Sequence, residues 1–478
     1  MITKNIFSNI CPLDHRYYLA NRAVFDELAK YLSEEAVIRY SALAEAALVK
    51  THVYLNMEHP EQYYAAVDEA IAKVQPDEVY AEEEKTQHNI RALVNVIKRY
   101  IPKELSPYVH LGATSVDIMD TSASMRIRDA VRNVILPLLT EVEDLLIKIA
   151  AEQAATPQVG RTHGQHAVPI TLGFAFAEYV SRLGKSIIEI EKRSQNLRGK
   201  LAGAVGAYNS TSLMVKDPEA MEKKYLEFLG LEPSEHSTQL VEPEYQLRLL
   251  LEINTAFGII ANLADDMRNL QRSEISEIRE MFTSTQVGSS TMPQKRNPWN
   301  SEHVKSQWKA FAPRIMTFFM DQISDHQRDL TNSASQRFIT DYLAGFSAAV
   351  NRLKKVLSSL HVDKERLMKN LSFTGDLVLA EAAYILLSCG GEADAHEIIR
   401  KITLESEKTG ERMCAILKKN EKIWNTIKTQ MERTIGIEPE EFFSHPELYR
   451  GLAAQKASKL AAKYKTEMET VRKSLGLK

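Results

Sequence analysis

The sequence predicts an all-α protein of three domains arranged around a central bundle of five long helices. Two observations point there. Glycine numbers 19 and proline 16 in 478 residues, well under the ~12% that these two usually contribute. A chain so poor in turn formers does not suit an all-β or loop-rich fold. The second observation is periodicity: five stretches carry apolar residues at steps of three and four, which form one stripe along a helix.

The first rod spans 127–154, with Val131, Val134, Ile135, Leu138, Val142, Leu145 and Ile149 in its stripe. Pro137 falls inside it and predicts a kink, because proline lacks the N–H an inner helical position donates. Residues 172–198 follow with Phe176, Tyr179, Val180, Leu183, Ile187 and Ile190. Residues 245–280 are apolar on most sides through LLLEINTAFGIIANLADD, as a rod buried among other rods should be. Residues 300–325 and 337–361 complete the set. Rods of roughly 25 to 35 residues would be about 40 to 50 Å long, and such rods pack side by side. Their broad apolar faces predict packing against further copies in a symmetric homo-oligomer. The expected division is 1–109, an N-terminal helical domain with helices at 34–56 and 85–100; 110–364, the bundle; and 365–478, a C-terminal helical domain with helices at 375–389, 393–407 and 452–475.

Composition excludes several functions. At 44% hydrophobic the chain can bury a large core. A net charge of −3 argues against a general nucleic-acid binder, so any anion is held by a few placed Arg or Lys residues. Cys11, Cys389 and Cys414 form no CxxC pair and no disulfide framework, which predicts a reducing cytoplasm. No uninterrupted apolar run nears the ~20 residues of a membrane span, and the N-terminus does not read as a signal peptide.

Between the rods lie polar segments dense in functional groups: HLGATSVDIMDTS (110–122), VGRTHGQHAVP (159–169), TSTQVGSSTMPQKRNP (283–298) and DHQRDLTNSASQR (325–337). They hold Gly112, Gly160, Gly164 and Gly288 in a chain otherwise sparing of glycine. Loops carried by a rigid scaffold are where sites are built. In 288–298, Gly288 offers unusual backbone freedom, and hydroxyls, a lysine and an amide follow. Backbone N–H groups beside a lysine make an anion nest.

GSSTMPQKRNP resembles the GSSxMPxKxNP signature of the fumarase/aspartase superfamily, all-helical lyases that release fumarate and pair five-helix bundles into a tetrameric core. GRTHGQHA, HLGATSVDIMDTS, HQRDLTNSASQR and PLDHRYY are similar to the adenylosuccinate lyase branch. The chain departs from that pattern at Asn89, where Asp is usual, and at Gln327, where Glu is usual. The resemblance implies a β-elimination from a succinyl amine. A base takes a proton beside a carboxylate, that carboxylate bears the developing charge, and an acid protonates the leaving nitrogen.

By resemblance Ser289 is the base, Lys295 supplies positive charge beside it, His163 is the proton donor, and Glu302 is the carboxylate that charges and orients His163. Thr114, Ser115, Thr162 and Asn297 would meet the succinyl carboxylates, although Thr114 and Ser115 also read as a helix N-cap before Asp117. Arg16, Tyr17, Ser333 and Arg337 would hold a nucleotide phosphate, with Arg328 on the substrate. His88, Asn89 and Gln239 would meet the nucleotide's remaining parts. His163 and His166 also raise a metal reading, but no third ligand accompanies them; the resemblance implies no metal and no cofactor. It implies a homotetramer whose active sites are shared between subunits, a small nucleotide substrate, and no nucleic-acid or membrane partner. Two other readings compete: another superfamily lyase, such as an argininosuccinate lyase or carboxymuconate cycloisomerase, and a catalytically silent helical scaffold.

Overall fold

The computed structural model describes residues 5–282 and 288–477. Residues 283–287, part of one polar segment singled out above, lie outside the described residues.

Nine helices frame the site. The N-terminal part contributes α1 (Glu34–Asn56) and α2 (Asn89–Tyr100). The bundle is built from α3 (Ser115–Ala130), α4 (Leu136–Glu152), α5 (Leu172–Gln195), α6 (Glu244–Leu270), α7 (Trp299–Phe311) and α8 (Ile339–Leu357). The last long helix is α9 (Ala453–Ser474). The five predicted rods are present, with differences at their ends that have local causes.

The first rod runs through Pro137, as its stripe predicts. A π-helical turn, Val131–Ile135, links α3 to α4 immediately before it. A wider turn re-registers the backbone bonds where proline lacks an N–H, so helix continues on both sides. The third rod ends at Leu270, not near residue 280. Beyond it the N–H of Glu277 returns to the carbonyl of Leu270 (3.0 Å), Ser276 takes a left-handed φ of 51°, and Ile278–Arg279 pairs as a short strand with His361–Val362. The stretch after Leu270 is polar and has no apolar stripe to extend. The fourth rod breaks into a 3-10 turn at Ala312–Arg314, around Pro313, and resumes as Ile315–Met320. The predicted helix 85–100 begins only at Asn89. Gln87 is left-handed (φ 51°), and His88 caps α2 by accepting the N–H of Arg91 on Nδ1 (3.3 Å).

Three apolar cores result. The largest joins α4 to α8 through side chains such as Leu139, Val180, Ile253, Phe257 and Phe346. Ala457, Ala461, Tyr464 and Met468 of α9 belong to the same core, so the chain returns to the bundle after its C-terminal part. A second core joins α1 and α2 to Ile118 and Met125 of α3 and to Tyr225 and Leu226. A third lies within 378–443, around Leu379, Met413, Ile427 and Phe443. Among the described residues α6 is the one single helix long and apolar enough to cross a membrane, yet 61% of its most apolar window is buried in the molecule. Its apolar run is core.

Between α4 and α5 the chain forms the one extended hairpin among the described residues, β1 (Pro157–Thr162) with β2 (Gln165–Thr171).

Candidate active site

The loop 288–298 closes on itself. Asn297 Nδ2 donates to the carbonyl of Gly288 (3.1 Å), and the N–H of Lys295 donates to the carbonyl of Met292 (3.0 Å). Gly288 sits where the two ends of the loop approach. What it supplies is space: a Cβ there would lie 2.2 Å from the carbonyl oxygen of Lys295. Ser289 Oγ accepts the N–H of Met292 (3.1 Å) and lies 3.4 Å from that of Thr291. Amide donors aimed at a hydroxyl oxygen favour its ionised form.

Lys295, Asn297 and Glu302 open onto a cleft of about 710 Å³ that Arg268, Arg272 and Arg279 also line. Its basic walls suit a dicarboxylate. Arg16 and Tyr17 reach the same end of the molecule from the short helix Arg16–Ala20. The ring of Tyr17 stacks on His303 at 5.7 Å. Burial lowers the pKa of His303, and Arg352 and Arg16 lower it further. Arg352 lies over Trp299 (5.2 Å) and donates to Asn300 Oδ1 (2.9 Å). Sequence reasoning missed His303 and Arg352: one sits beside Glu302 without a motif, the other within an ordinary amphipathic helix.

Thr162 and His163 stand at the exposed tip of the β1–β2 hairpin. Thr162 pairs with Gln165, leaving His163 (φ 54°) and Gly164 (φ 76°) as a two-residue turn. Two successive left-handed residues define the turn that matches strand twist. A non-glycine residue is uncommon at such a φ, and histidine is among those that tolerate it. His166 pairs across the hairpin with Arg161, and its pKa is lowered by burial and then by that arginine. Among the described residues no three His, Cys, Asp or Glu side chains converge as metal ligands.

A third group gathers at the start of α3. The N–H of Thr114 donates to Asp117 Oδ2 (2.7 Å), so Thr114 does stand at the helix N-cap. Asp117 is fully buried, pairs with fully buried Lys200, and accepts the N–H of Ala202 (3.1 Å). That anchor makes the Thr114–Ser115 backbone rigid. His110, just upstream, places Nδ1 2.7 Å from buried Glu45; burial works against the charged imidazole, but Glu45 prevails and raises its pKa. Asn89 Nδ2 approaches Met119 Sδ at 3.9 Å. Gln239 and Arg328, expected in separate roles, meet: Arg328 Nη1 lies 3.4 Å from Gln239 Oε1, and the N–H of Gln239 reaches the carbonyl of Gln327 (3.3 Å). Asp120 lies within their field. Its pKa is pushed up to about 6 by burial, against a bond from Val241 N–H and the charges of Lys200 and Arg328. Ser333 and Arg337 are exposed further along the same segment; Arg337 is close enough to lower the pKa of Tyr80, which burial raises.

One chain therefore presents three separate groups: the Ser289 loop with Lys295, Asn297, Glu302, Arg16 and Tyr17; the hairpin tip with Thr162 and His163; and the α3 start with His88, Asn89, Thr114, Ser115, Gln239 and Arg328. Among the described residues no hydrogen bond or ion pair joins one group to another. The expected His163–Glu302 pairing is not made within a single chain.

A helical bundle with polar segments of this kind at its rod ends defines a lyase of the fumarase/aspartase class. The solved structures it is similar to include 3-carboxy-cis,cis-muconate lactonizing enzyme from Pseudomonas putida (TM-score 0.77, 23% identity, covering 96% of this chain and 100% of that one) and fumarate lyase from Mesorhizobium sp. BNC1 (TM-score 0.76, 21% identity, 91% and 97%). At these identities they establish the fold alone. Residues 16–310 match the lyase family model, and residues 324–442 match the adenylosuccinate lyase C-terminal model. The chain is 32% identical over 437 residues to adenylosuccinate lyase of Pyrococcus abyssi, covering 90% of this chain and 94% of that protein. It is 31% identical to adenylosuccinate lyase of Pyrococcus horikoshii, covering 96% and 98%. The chain is a lyase and belongs to the adenylosuccinate lyase family.

Proposed function

We propose that this lyase removes fumarate from adenylosuccinate to leave AMP, and from the succinylcarboxamide ribotide SAICAR to leave AICAR. The match of 324–442 to the adenylosuccinate lyase C-terminal model carries the substrate, because Arg328, Ser333 and Arg337, the residues suited to a nucleotide phosphate, lie inside it. Guanidinium forks fit phosphate oxygens.

Ser289 takes the proton from the carbon beside a succinyl carboxylate. Lys295 and the loop amides stabilise its alkoxide and the charge that builds on that carboxylate. The C–N bond breaks, its electrons pass to the nitrogen, and His163 delivers a proton there. One proton leaves and one arrives, so the step balances through acid–base groups alone and calls for no cofactor. Thr114, Ser115, Thr162 and Asn297 bind the carboxylates; His88, Asn89 and Gln239 meet the rest of the nucleotide.

The active unit in this reading is a homotetramer, with each site drawn from several subunits. Two features support that. The three residue groups stand apart within one chain. In addition, Met316, Phe319 and Met320 are exposed at helical spacing on the last helix of the fourth rod, with exposed Ile323 just beyond it, and exposed apolar patches mark interfaces. Three free cysteines suit a reducing cytoplasm, which we propose as its compartment.

Purified protein should release fumarate from adenylosuccinate and SAICAR, followed by absorbance and fumarate detection. Ser289→Ala and His163→Ala should each lower kcat by at least about 100-fold, within the range of a lost general acid or base. Turnover of argininosuccinate or a carboxymuconate instead would overturn the substrate assignment. Near-normal kcat in Ser289→Ala would overturn the base.

A further inference from the structure

We propose that Glu277 and Glu280, two buried carboxylates outside every motif above, are positioning residues that hold the His163 hairpin and the Ser289 loop in working geometry; this rests on the proposed acid–base reading of that site.

Glu277 is fully buried and receives four donors. Oε2 accepts from Gln158 Nε2 (2.7 Å) and Arg161 Nη1 (3.2 Å); Oε1 accepts from Arg161 Nη2 (2.5 Å) and Asn370 Nδ2 (2.9 Å). Gln158 and Arg161 belong to β1, the strand that ends at Thr162 and leads into His163. The carboxylate thus grips the hairpin just behind its tip. Three residues on, buried Glu280 also receives four donors. Oε1 accepts from the N–H (2.8 Å) and Oγ (2.6 Å) of Ser301; Oε2 accepts from the N–H (3.2 Å) and Nδ2 (2.9 Å) of Asn300. These donors lie in the first turn of α7, where a carboxylate also meets the positive end of the helix. That turn carries Glu302 and receives the chain from the Ser289 loop. Gln271 ties the two together: its Oε1 accepts the N–H of Glu280 (2.8 Å), and its Nε2 donates to the carbonyl of Arg296 (3.2 Å). One short segment therefore fixes the footing of both reacting groups.

The acceptors must be carboxylates. Glutamine has nearly the same shape, but its NH₂ would face donors already aimed at that position. The half-buried Arg161 would also lose its counter-charge. Misplacement by even ~1 Å is felt in the chemical step more than in binding.

The test compares wild-type tetramer with Glu277→Gln, Glu280→Gln and Asn370→Ala, measuring kcat, KM, the pH profile of fumarate release, and hydrogen exchange of the β1–β2 amides. Glu277→Gln should lower kcat at least 30-fold with KM within threefold, shift the alkaline limb of the kcat profile, and speed exchange in the hairpin but not in α5. Glu280→Gln should lower kcat without changing hairpin exchange. Asn370→Ala, which spares the grip on β1, should keep kcat within threefold. Should Glu277→Gln fail to assemble, Glu277→Asp retains the charge with a shorter reach and should show a graded form of the same losses. Wild-type kcat together with wild-type exchange in Glu277→Gln or Glu277→Asp would overturn the proposal. A wild-type enzyme inactive on adenylosuccinate would overturn the function reading instead, and hairpin exchange would still judge the clamp.

Discussion

At Gly288 a single methyl group decides whether the loop closes. A Cβ would stand 2.2 Å from a backbone oxygen, which has no room to move without opening the Asn297 contact. Gly288→Ala should therefore cut kcat by about 100-fold or more, while Tm, read by calorimetry, stays within about 2 °C because the loop adds little to the core. The motif made this glycine legible in sequence; the fold adds the close approach that excludes a Cβ there. Asp120 lies within HLGATSVDIMDTS, but the sequence suggested no role for it. Its raised pKa means that the folded state keeps a proton the unfolded chain releases near pH 3.9. Stability should fall as pH rises from about 4 to the folded value of about 6, and level off above. Asp120→Asn should remove that slope, raising Tm at pH 8 and leaving it nearly unchanged at pH 4. An unchanged Tm difference across that range would refute the assignment. The sequence does not show its protonation, because the partner that reaches it, the N–H of Val241, comes from over a hundred positions away.

Among the elements, α9 depends on an unusual contact. Gly184 of α5 lets the ring of Tyr464 approach so closely that a Cβ would lie 2.3 Å from it and 3.0 Å from Glu143 Oε1. Gly184→Ala should loosen α9 and cost about 1–3 kcal/mol, the usual penalty of overpacking, seen as a lower unfolding midpoint. Glu143 of α4 is fully buried, and neither oxygen has a partner. Burial, and secondarily Asp144, raises its pKa well above the usual carboxylate range. The folded form binds the proton, so stability should decline as pH rises from about 4.3, the unfolded value. Glu143→Gln keeps the shape without the charge. Its Tm should match wild type at pH 4 and exceed it increasingly toward pH 8; a parallel pH dependence would count against this. Rod existence was legible from apolar spacing alone, since α5 follows its predicted stripe. Rod ends were not. The end of α6 is decided by where the chain must turn for Glu277 and the short strand.

For the whole molecule, the proposed function requires the three residue groups to meet in one site. If several subunits share each site, mixing Ser289→Ala and His163→Ala oligomers under proven subunit exchange should restore part of the activity, while each alone stays inactive. Mass photometry should report a tetramer. Inactivity after demonstrated exchange would count against shared sites. A charge placed within the exposed stripe, such as Phe319→Lys, should shift the assembly toward smaller species.

The amino-acid sequence by itself determined the helical class, the rods, and the residue types available for chemistry. Periodicity and short motifs are local properties, and local steric and hydrogen-bonding rules act on neighbours in the chain. Only the tertiary structure decided that α9 returns to the bundle, that Gln239 meets Arg328, that Arg352 and His303 stand beside Tyr17, and that Glu277 and Glu280 brace the hairpin and the loop. Those contacts join residues tens to hundreds of positions apart. Their energies depend on burial and on which donors converge, and neither exists until the chain has packed.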